Sequence, residues 1–109
     1  MIADRHGPKV EALRERILKG SGHLDSSIRL AAAEGGKLPS ELMSYVGKVA
    51  DRSYAITDSD VEDLRRDGYT EDQIFELTLS SALGAGLRKL DIGLSALERG
   101  VAGAAEDHR

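Results

Sequence analysis

The sequence predicts an all-α fold, a helical bundle of about five helices in which the last helix is the longest. Apolar residues recur every three or four positions along most of the chain, which is the spacing of a helix face buried against a core. Only 4% of the residues are aromatic, so leucine, alanine and glycine must fill the core, and these suit closely packed helices better than a β-sandwich. At 109 residues, the chain is expected to form a single domain, residues 1–109.

The first two helices are predicted from residues that start and stop helices. Pro8 is a favourable first-turn residue for a helix that runs to about Lys19, and Gly20-Ser21-Gly22 ends it. Asp25 can then cap a short second helix, which Gly35 is expected to stop. The first two elements are therefore short helices joined by a glycine-rich turn.

The next two helices follow from similar signals. A third helix is predicted to open at Pro39 and to run to about Asp51, with apolar residues at helical spacing. A fourth is expected to begin at Thr57, which can form a capping box with Asp60, and to end at Gly68. Both lie directly before the longest predicted element.

The long helix of residues 70–99 organises the chain, and it begins with a capping box of Thr70 and Gln73. At roughly 100° per residue, one of its faces carries six leucines, Leu79, Leu83, Leu87, Leu90, Leu94 and Leu97. An adjoining face carries mostly small residues, Phe75, Ala82, Gly86 and Gly93. Only a narrow stripe is polar, Ser80, Arg88, Asp91, Ser95 and Glu98. We therefore predict a homo-oligomer that assembles through this helix, with residues 1–7 and 100–109 frayed.

The composition excludes several classes of function. Cysteine is absent, which excludes disulfides, thiolate metal ligands and thiol nucleophiles. The formal net charge of -4, with no basic run, argues against a nucleic-acid partner. No apolar stretch approaches the ~20 residues that span a bilayer, so we expect a cytoplasmic protein with no membrane partner. The acidic run of residues 58–63 lacks the glycine and the distal glutamate of a calcium loop, and neither a metal nor a cofactor is expected.

Three side chains, His23, Glu76 and Arg88, are the candidate catalytic residues. His23 could act as a general base oriented by Asp25, although a histidine in a turn beside a helix cap is the interpretation we prefer. Glu76 is the one acid on the leucine side of the long helix, where a half-buried carboxylate could transfer protons, but a structural ion pair is the preferred interpretation. Arg88 could help to bind a small organic acid. Both readings stay open for His23 and for Glu76.

The turn ITDSDVEDLRRDGY leads into the helix TEDQIFELTLSSALGAGLRKL, and residues 45–97 around them resemble the carboxymuconolactone decarboxylase and alkylhydroperoxidase D-like superfamily. The resemblance implies an all-α fold that assembles into trimers, hexamers or similar rings, with active sites near subunit contacts. The peroxidase branch uses a Cys-x-x-Cys pair, an upstream glutamate and a downstream histidine. When that motif is placed on the long helix, Glu76 matches the acid, Ser81 and Gly84 stand at the cysteine positions and Arg88 replaces the histidine. Thiol peroxidase chemistry is therefore excluded, whereas the decarboxylase branch needs no cysteine.

Three functional hypotheses follow. The first is a divergent member of this superfamily that keeps the oligomeric helical scaffold without thiol peroxidase activity. The second is a decarboxylase- or isomerase-type enzyme that binds a small organic acid near His23, Glu76 or Arg88, and a pocket that joins Arg88 or His23 to a tyrosine would favour it. The third is an adaptor that binds another protein, which a monomer with a large exposed apolar patch would favour.

Overall fold

The computed structural model describes the backbone of residues 2–107 and the side chains of residues 8–101. Five α-helices follow one another, α1 (Ile2–Lys19), α2 (Ser26–Glu34), α3 (Ser40–Asp51), α4 (Asp58–Arg66) and α5 (Glu71–Asp107). A 3₁₀ turn, Ser53–Ala55, precedes α4, and no strand occurs within residues 2–107. The predicted all-α bundle with a long C-terminal helix is therefore confirmed.

The two terminal helices are longer than predicted. Helix α1 begins at Ile2, and Pro8 lies in its second turn, where it removes one amide donor without ending the helix. Helix α5 has 37 residues and continues past Arg99 to Asp107. The predicted boundaries at Pro8 and Arg99 are therefore wrong. Residues 1, 108 and 109 lie outside the described backbone.

Capping hydrogen bonds are present at three of the predicted helix starts. The Asp25 side chain accepts from the Ser27 amide at the start of α2. Thr57 and Asp60 form the capping box of α4. At the start of α5, the Thr70 amide donates to Gln73 Oε1 at 2.9 Å, and the Gln73 amide donates to Thr70 Oγ1 at 3.1 Å. Local side-chain chemistry therefore fixes where these three helices begin.

The core lies where α2 and α3 pack on the N-terminal half of α5. Helix α3 buries the four residues of its predicted apolar face, Leu42, Tyr45, Val46 and Val49. They form one cluster with Leu64 of α4 and with Ile74 and Leu77 of α5. Because α2 and α3 cover one side of α5, the side chains on that side determine how the long helix is rotated about its axis.

After Ile74 and Leu77, the side of α5 that faces the bundle carries small residues. Ser80 and Ser81 are fully buried, and Ser81 Oγ donates to the Leu77 carbonyl at 2.8 Å. Gly84 lies so close to α2 that a Cβ atom there would overlap the Ala33 carbonyl. The sequence pattern assigns Ser80 to the narrow polar stripe opposite the apolar faces, but Ser80 is buried, whereas the other four residues of the stripe are exposed. Close approach of α2 near Gly84 favours small side chains at this level of α5.

The opposite side of α5 is apolar and exposed, and we call it the outer face. Its seven residues are Phe75, Leu79, Ala82, Gly86, Leu90, Gly93 and Leu97. The Phe75 side chain is 65% exposed, and no atom lies within 4 Å of an ideal Cβ placed on Gly86 or Gly93. From residue 89 to residue 101 every residue except Leu94 is exposed, so this half of α5 projects beyond the bundle. The molecule measures 63 × 29 × 20 Å along its principal axes.

We predict opposite effects for an added methyl group at two helical glycines. Gly84→Ala should destabilise the fold by roughly 1–3 kcal/mol, because the methyl group must push α2 and α5 apart. Gly47→Ala in α3, where no atom lies within 4 Å of the Cβ position, should instead stabilise it by about 0.5–1 kcal/mol through helix propensity. Urea denaturation measures both changes. Equal stabilisation by both substitutions would show that α2 and α5 do not meet at Gly84.

A second prediction concerns acid stability at the junction of α3 and α4. Lys48 Nζ donates to both Asp60 carboxylate oxygens at 2.9 Å, and this hydrogen bond, followed by that from the Thr57 amide, lowers the pKa of Asp60 from its ordinary value of 3.8. A carboxylate with a lowered pKa in the folded state stabilises the fold above pH 3.8, and this contribution is lost as the pH falls through the folded-state pKa. Asp60→Asn should therefore lower the Tm at pH 6.

The loss of Tm on Asp60→Asn should shrink steadily below about pH 4, where the wild-type carboxylate itself becomes protonated. Asp58→Asn is the matched control, because Asp58 lies in the same helical turn and its side chain makes no hydrogen bond to the described residues. A loss of Tm that is the same at pH 6 and at pH 3, or an equal loss in the Asp58 variant, would contradict the prediction.

Candidate functional site

Two of the candidate residues meet where the loop between α1 and α2 lies against α5. The His23 amide donates to both carboxylate oxygens of Glu76, at 2.9 and 2.8 Å, and the Leu24 amide donates to Glu76 Oε1 at 3.2 Å. One turn earlier on α5, Gln73 Nε2 donates to the His23 carbonyl at 3.2 Å. Two side chains of α5 therefore bind the loop backbone, Glu76 through its amide donors and Gln73 through a carbonyl acceptor.

Arg29 of α2 holds the other end of this loop. It is 4% exposed, and its guanidinium donates to the carbonyls of Ile17 at 2.7 Å, Gly20 at 2.5 Å and Leu24 at 3.1 Å. The Ile17 carbonyl lies in the last turn of α1, and the Gly20 carbonyl directly follows it, where backbone acceptors lack partners inside the helix. Arg29 Nε also lies 4.0 Å from Glu76 Oε1. The structural ion pair predicted for Glu76 is therefore present.

These contacts use Glu76 for structure. Its carboxylate already accepts two backbone amides and faces a guanidinium, and a Cβ atom on Gly22 would overlap it. The side chain is only 17% exposed. A general acid or base needs an oxygen within hydrogen-bond reach of a substrate, and the loop occupies that space. The geometry favours the structural reading of Glu76.

His23 takes part in these contacts only through its backbone, and its side chain is 68% exposed. The carboxylate nearest to it is that of Asp72, with Asp72 Oδ2 lying 3.8 Å from His23 Nε2. The alternative in which Asp25 orients His23 is not formed, because Asp25 caps α2. Ser27 Oγ donates to Asp25 at 2.8 Å, and this bond, with that from the Ser27 amide, lowers the pKa of Asp25. Among the side chains of residues 8–101, none supplies His23 with an orienting carboxylate within hydrogen-bond distance.

Arg88 lies apart from the other two candidates, twelve residues after Glu76 on α5 and roughly 18 Å further along the helix axis. Its Nη1 atom donates to the Ala33 carbonyl in the last turn of α2. Beside it is an open pocket of about 250 Å³ that is lined by Arg14, Ala33, Glu34, Gly84, Leu87 and Arg88. No histidine or tyrosine is among these residues, so the combination that would favour an enzyme is not formed here.

Two residues of these sites were not singled out from the sequence. Arg29 stands on the buried face of α2 between Ile28 and Leu30, and a charged residue inside a short apolar run was the available signal. Arg14 has no local signal, because it reaches the pocket only through the packing of α1 on α5. Among the side chains of residues 8–101, no three acidic or histidine groups are placed to hold a metal ion. No helix over the described residues is long and apolar enough to cross a bilayer.

We predict that Glu76 and His23 differ sharply in importance for folding. Glu76→Gln removes the charge beside buried Arg29 and one set of acceptor positions for the loop amides, so it should cost roughly 1–3 kcal/mol of unfolding free energy. His23→Ala should change stability by less than about 0.5 kcal/mol, because the side chain is exposed. Chemical denaturation followed by circular dichroism measures both. A neutral Glu76→Gln variant would show that the loop does not depend on this carboxylate.

Comparison of the chain with protein-family models, with curated proteins and with solved structures finds no match.

Proposed function

We propose that this chain is a homo-oligomeric helical protein, a divergent relative of the carboxymuconolactone decarboxylase and alkylhydroperoxidase D-like superfamily without thiol peroxidase activity. We propose further that it assembles through the outer face of α5. The observation that carries the proposal is the exposure of this face along the whole described length of the longest helix. The second copy of the chain is its proposed partner.

The exposed apolar surface supports the proposal energetically. From Phe75 to Leu97, the outer face extends for roughly 33 Å along α5. Burial of apolar surface is worth about 25 cal/mol per Å², and contiguous apolar patches on a monomer are typical of interaction sites. Neighbouring Ile92 is 67% exposed, so the projecting half of α5 offers apolar side chains beyond the outer face itself.

The shape of the monomer favours a second copy as the partner. One half of the outer face belongs to the part of α5 that packs on the bundle, and the other half belongs to the projecting part of α5. If two α5 helices run antiparallel and cross at the level of Arg88, each projecting half covers the bundle half of the other copy. Such a two-fold interface is self-complementary, as most homodimer interfaces are.

This antiparallel register also matches large residues with small ones. Because the two helices cross at residue 88, each residue lies opposite the residue of the second copy whose number makes the sum 176. Gly86 therefore lies opposite Leu90 of the second copy. Likewise, Gly93 lies opposite Leu83, Ala82 opposite Leu94, and Leu79 opposite Leu97. In the first three of these pairs a leucine meets glycine or alanine, which permits close approach of the two axes near the crossing point.

The proposed lack of peroxidase activity is supported by how α5 uses the positions that the motif would occupy. The Ser81 hydroxyl donates to the Leu77 carbonyl and is fully buried, and Gly84 contacts the backbone of α2. Neither position carries a thiol, because the sequence contains no cysteine. The two positions contribute to packing, and Glu76 holds the loop before α2.

We predict that Gly86→Leu disrupts assembly without unfolding the chain. The wild-type protein should be a dimer or a larger homo-oligomer at micromolar concentration, and Gly86→Leu should be monomeric because its side chain overfills the interface. Because, apart from the adjacent backbone of α5, no atom of the described residues lies within 4 Å of the Gly86 Cβ position, the monomer should keep its helicity. Light scattering after gel filtration measures the mass, and circular dichroism measures the helicity.

Gly47→Leu is the matched control for assembly, because Gly47 is an exposed helical glycine outside α5. It should leave the mass unchanged. A wild-type monomer at micromolar concentration would overturn the proposal and favour the adaptor hypothesis, in which a different protein covers the outer face. Unchanged assembly of Gly86→Leu would remove the outer face from the interface.

The register has its own test, which the absence of native cysteine makes unambiguous. In an antiparallel pair, a copy with Leu79→Cys should form a disulfide with a copy carrying Leu97→Cys, and neither variant should crosslink with itself. Self-crosslinking of Leu97→Cys would indicate parallel helices. That result would leave the assembly through α5 intact and overturn only its register.

A further inference from the structure

The pocket beside Arg88 has the chemical character of an anion site. It lies where α1, α2 and α5 meet, and it combines two guanidinium groups, Arg14 from α1 and Arg88 from α5, with the apolar side chains of Ala33 and Leu87. Arginine is the side chain that best matches the planar geometry of a carboxylate, because it can donate two parallel hydrogen bonds. Two arginines from separate helices therefore bring donors for an anion to one open cavity.

The contacts within the pocket leave donors for a ligand. Arg88 uses Nη1 on the Ala33 carbonyl, whereas Arg14 donates from Nη2 to Glu34 Oε1 at 2.9 Å and has Nη1 at 3.8 Å from Glu11 Oε1. Each guanidinium has five N–H donors, so most of them have no hydrogen bond to the described residues. Glu34 is the one acidic residue in the lining, which leaves the lining with a net positive charge.

We propose that this pocket binds a small carboxylic acid whose carboxylate takes the place of Glu34 on Arg14 and reaches Arg88 as well. The volume of about 250 Å³ has room for a molecule of roughly ten non-hydrogen atoms or fewer. Leu87 and Ala33 suit a short hydrocarbon body, which distinguishes an organic acid from inorganic phosphate. Glu34 is the one general acid or base in the lining, and the ligand displaces it in this proposal, so the assignment is to binding rather than to turnover.

Glu34 acts in this proposal as a competitor built into the chain. Its side chain is 54% exposed, and an exposed ion pair of this kind contributes little stability, so a ligand carboxylate can displace it at small cost. Removal of the Glu34 charge should therefore strengthen ligand binding, whereas removal of the Arg14 charge should weaken it. A purely structural ion pair between α1 and α2 predicts neither effect on a ligand.

The proposal is independent of the assembly through α5. Arg88 lies on the side of α5 that faces α2, whereas the outer face lies on the opposite side. Loss of assembly in Gly86→Leu would therefore leave binding in the pocket unchanged, and the two ideas fail separately.

The test is isothermal titration of the full chain with sodium malonate at constant ionic strength, with sodium phosphate and sodium chloride as parallel titrants. Malonate should bind saturably, and the other two salts should not. Arg14→Gln should weaken malonate binding at least about tenfold, and Glu34→Gln should strengthen it by up to about fivefold. Arg16→Gln is the control for net charge, because Arg16 is exposed on the same helix and does not line the pocket, and it should bind as the wild type does.

Each contrary outcome overturns the assignment. Malonate binding that sodium chloride reproduces at the same ionic strength would reflect general charge screening. Equal binding of phosphate would make the pocket a site for anions of any kind. Unchanged binding in Glu34→Gln would show that Glu34 does not occupy the ligand position, and this result stands even if Arg14→Gln loosens α1, which circular dichroism would reveal.

Discussion

The fold depends on a buried arginine and a carboxylate that meet at the loop between α1 and α2. Arg29 donates to carbonyls in and directly after the last turn of α1, and Glu76 accepts from the amides of His23 and Leu24. Each charge would be costly to bury alone, because an unpaired ion in the protein interior loses its hydration without compensation. Together they tie α1, α2 and α5 to one short loop. Gly22 belongs to the same arrangement, because any side chain there would occupy the space of the Glu76 carboxylate.

This arrangement determines which side of α5 is left for other partners. Glu76 faces the loop and Gly84 faces α2, so this side of the helix lies against the bundle. Close contact between Gly84 and Ala33 leaves no room for a bulky side chain at this level of the inner side. The exposed apolar outer face is a consequence of tight packing on the inner side. The surface proposed for assembly and the contacts that hold the loop are thus two sides of one helix.

The sequence predicted the features that depend on neighbouring residues, and it missed those that depend on distant ones. The capping boxes at Thr57 and Thr70 follow from spacings of three residues, and the structure contains both. The inner side of α5 was not predicted, because a helical projection ranks residues by hydrophobicity, whereas Ser80 and Ser81 are buried for their size. The Ser80 hydroxyl has no hydrogen-bond partner among the described residues, which no hydropathy pattern would anticipate. Arg29 joins three carbonyls only after α1 and α2 have packed.

The glycines of α5 separate the two sides of the helix energetically. Each glycine in a helix interior costs about 1 kcal/mol relative to alanine. At Gly84 the close approach of α2 offsets this cost within the chain, because alanine would not fit. Gly86 and Gly93 on the outer face have the same cost, yet beyond the adjacent α5 backbone no atom among the described side chains and backbone lies within 4 Å of their Cβ positions. Packing within the monomer therefore accounts for the first glycine and not for the other two, and close contact with a second α5 helix would supply the missing compensation.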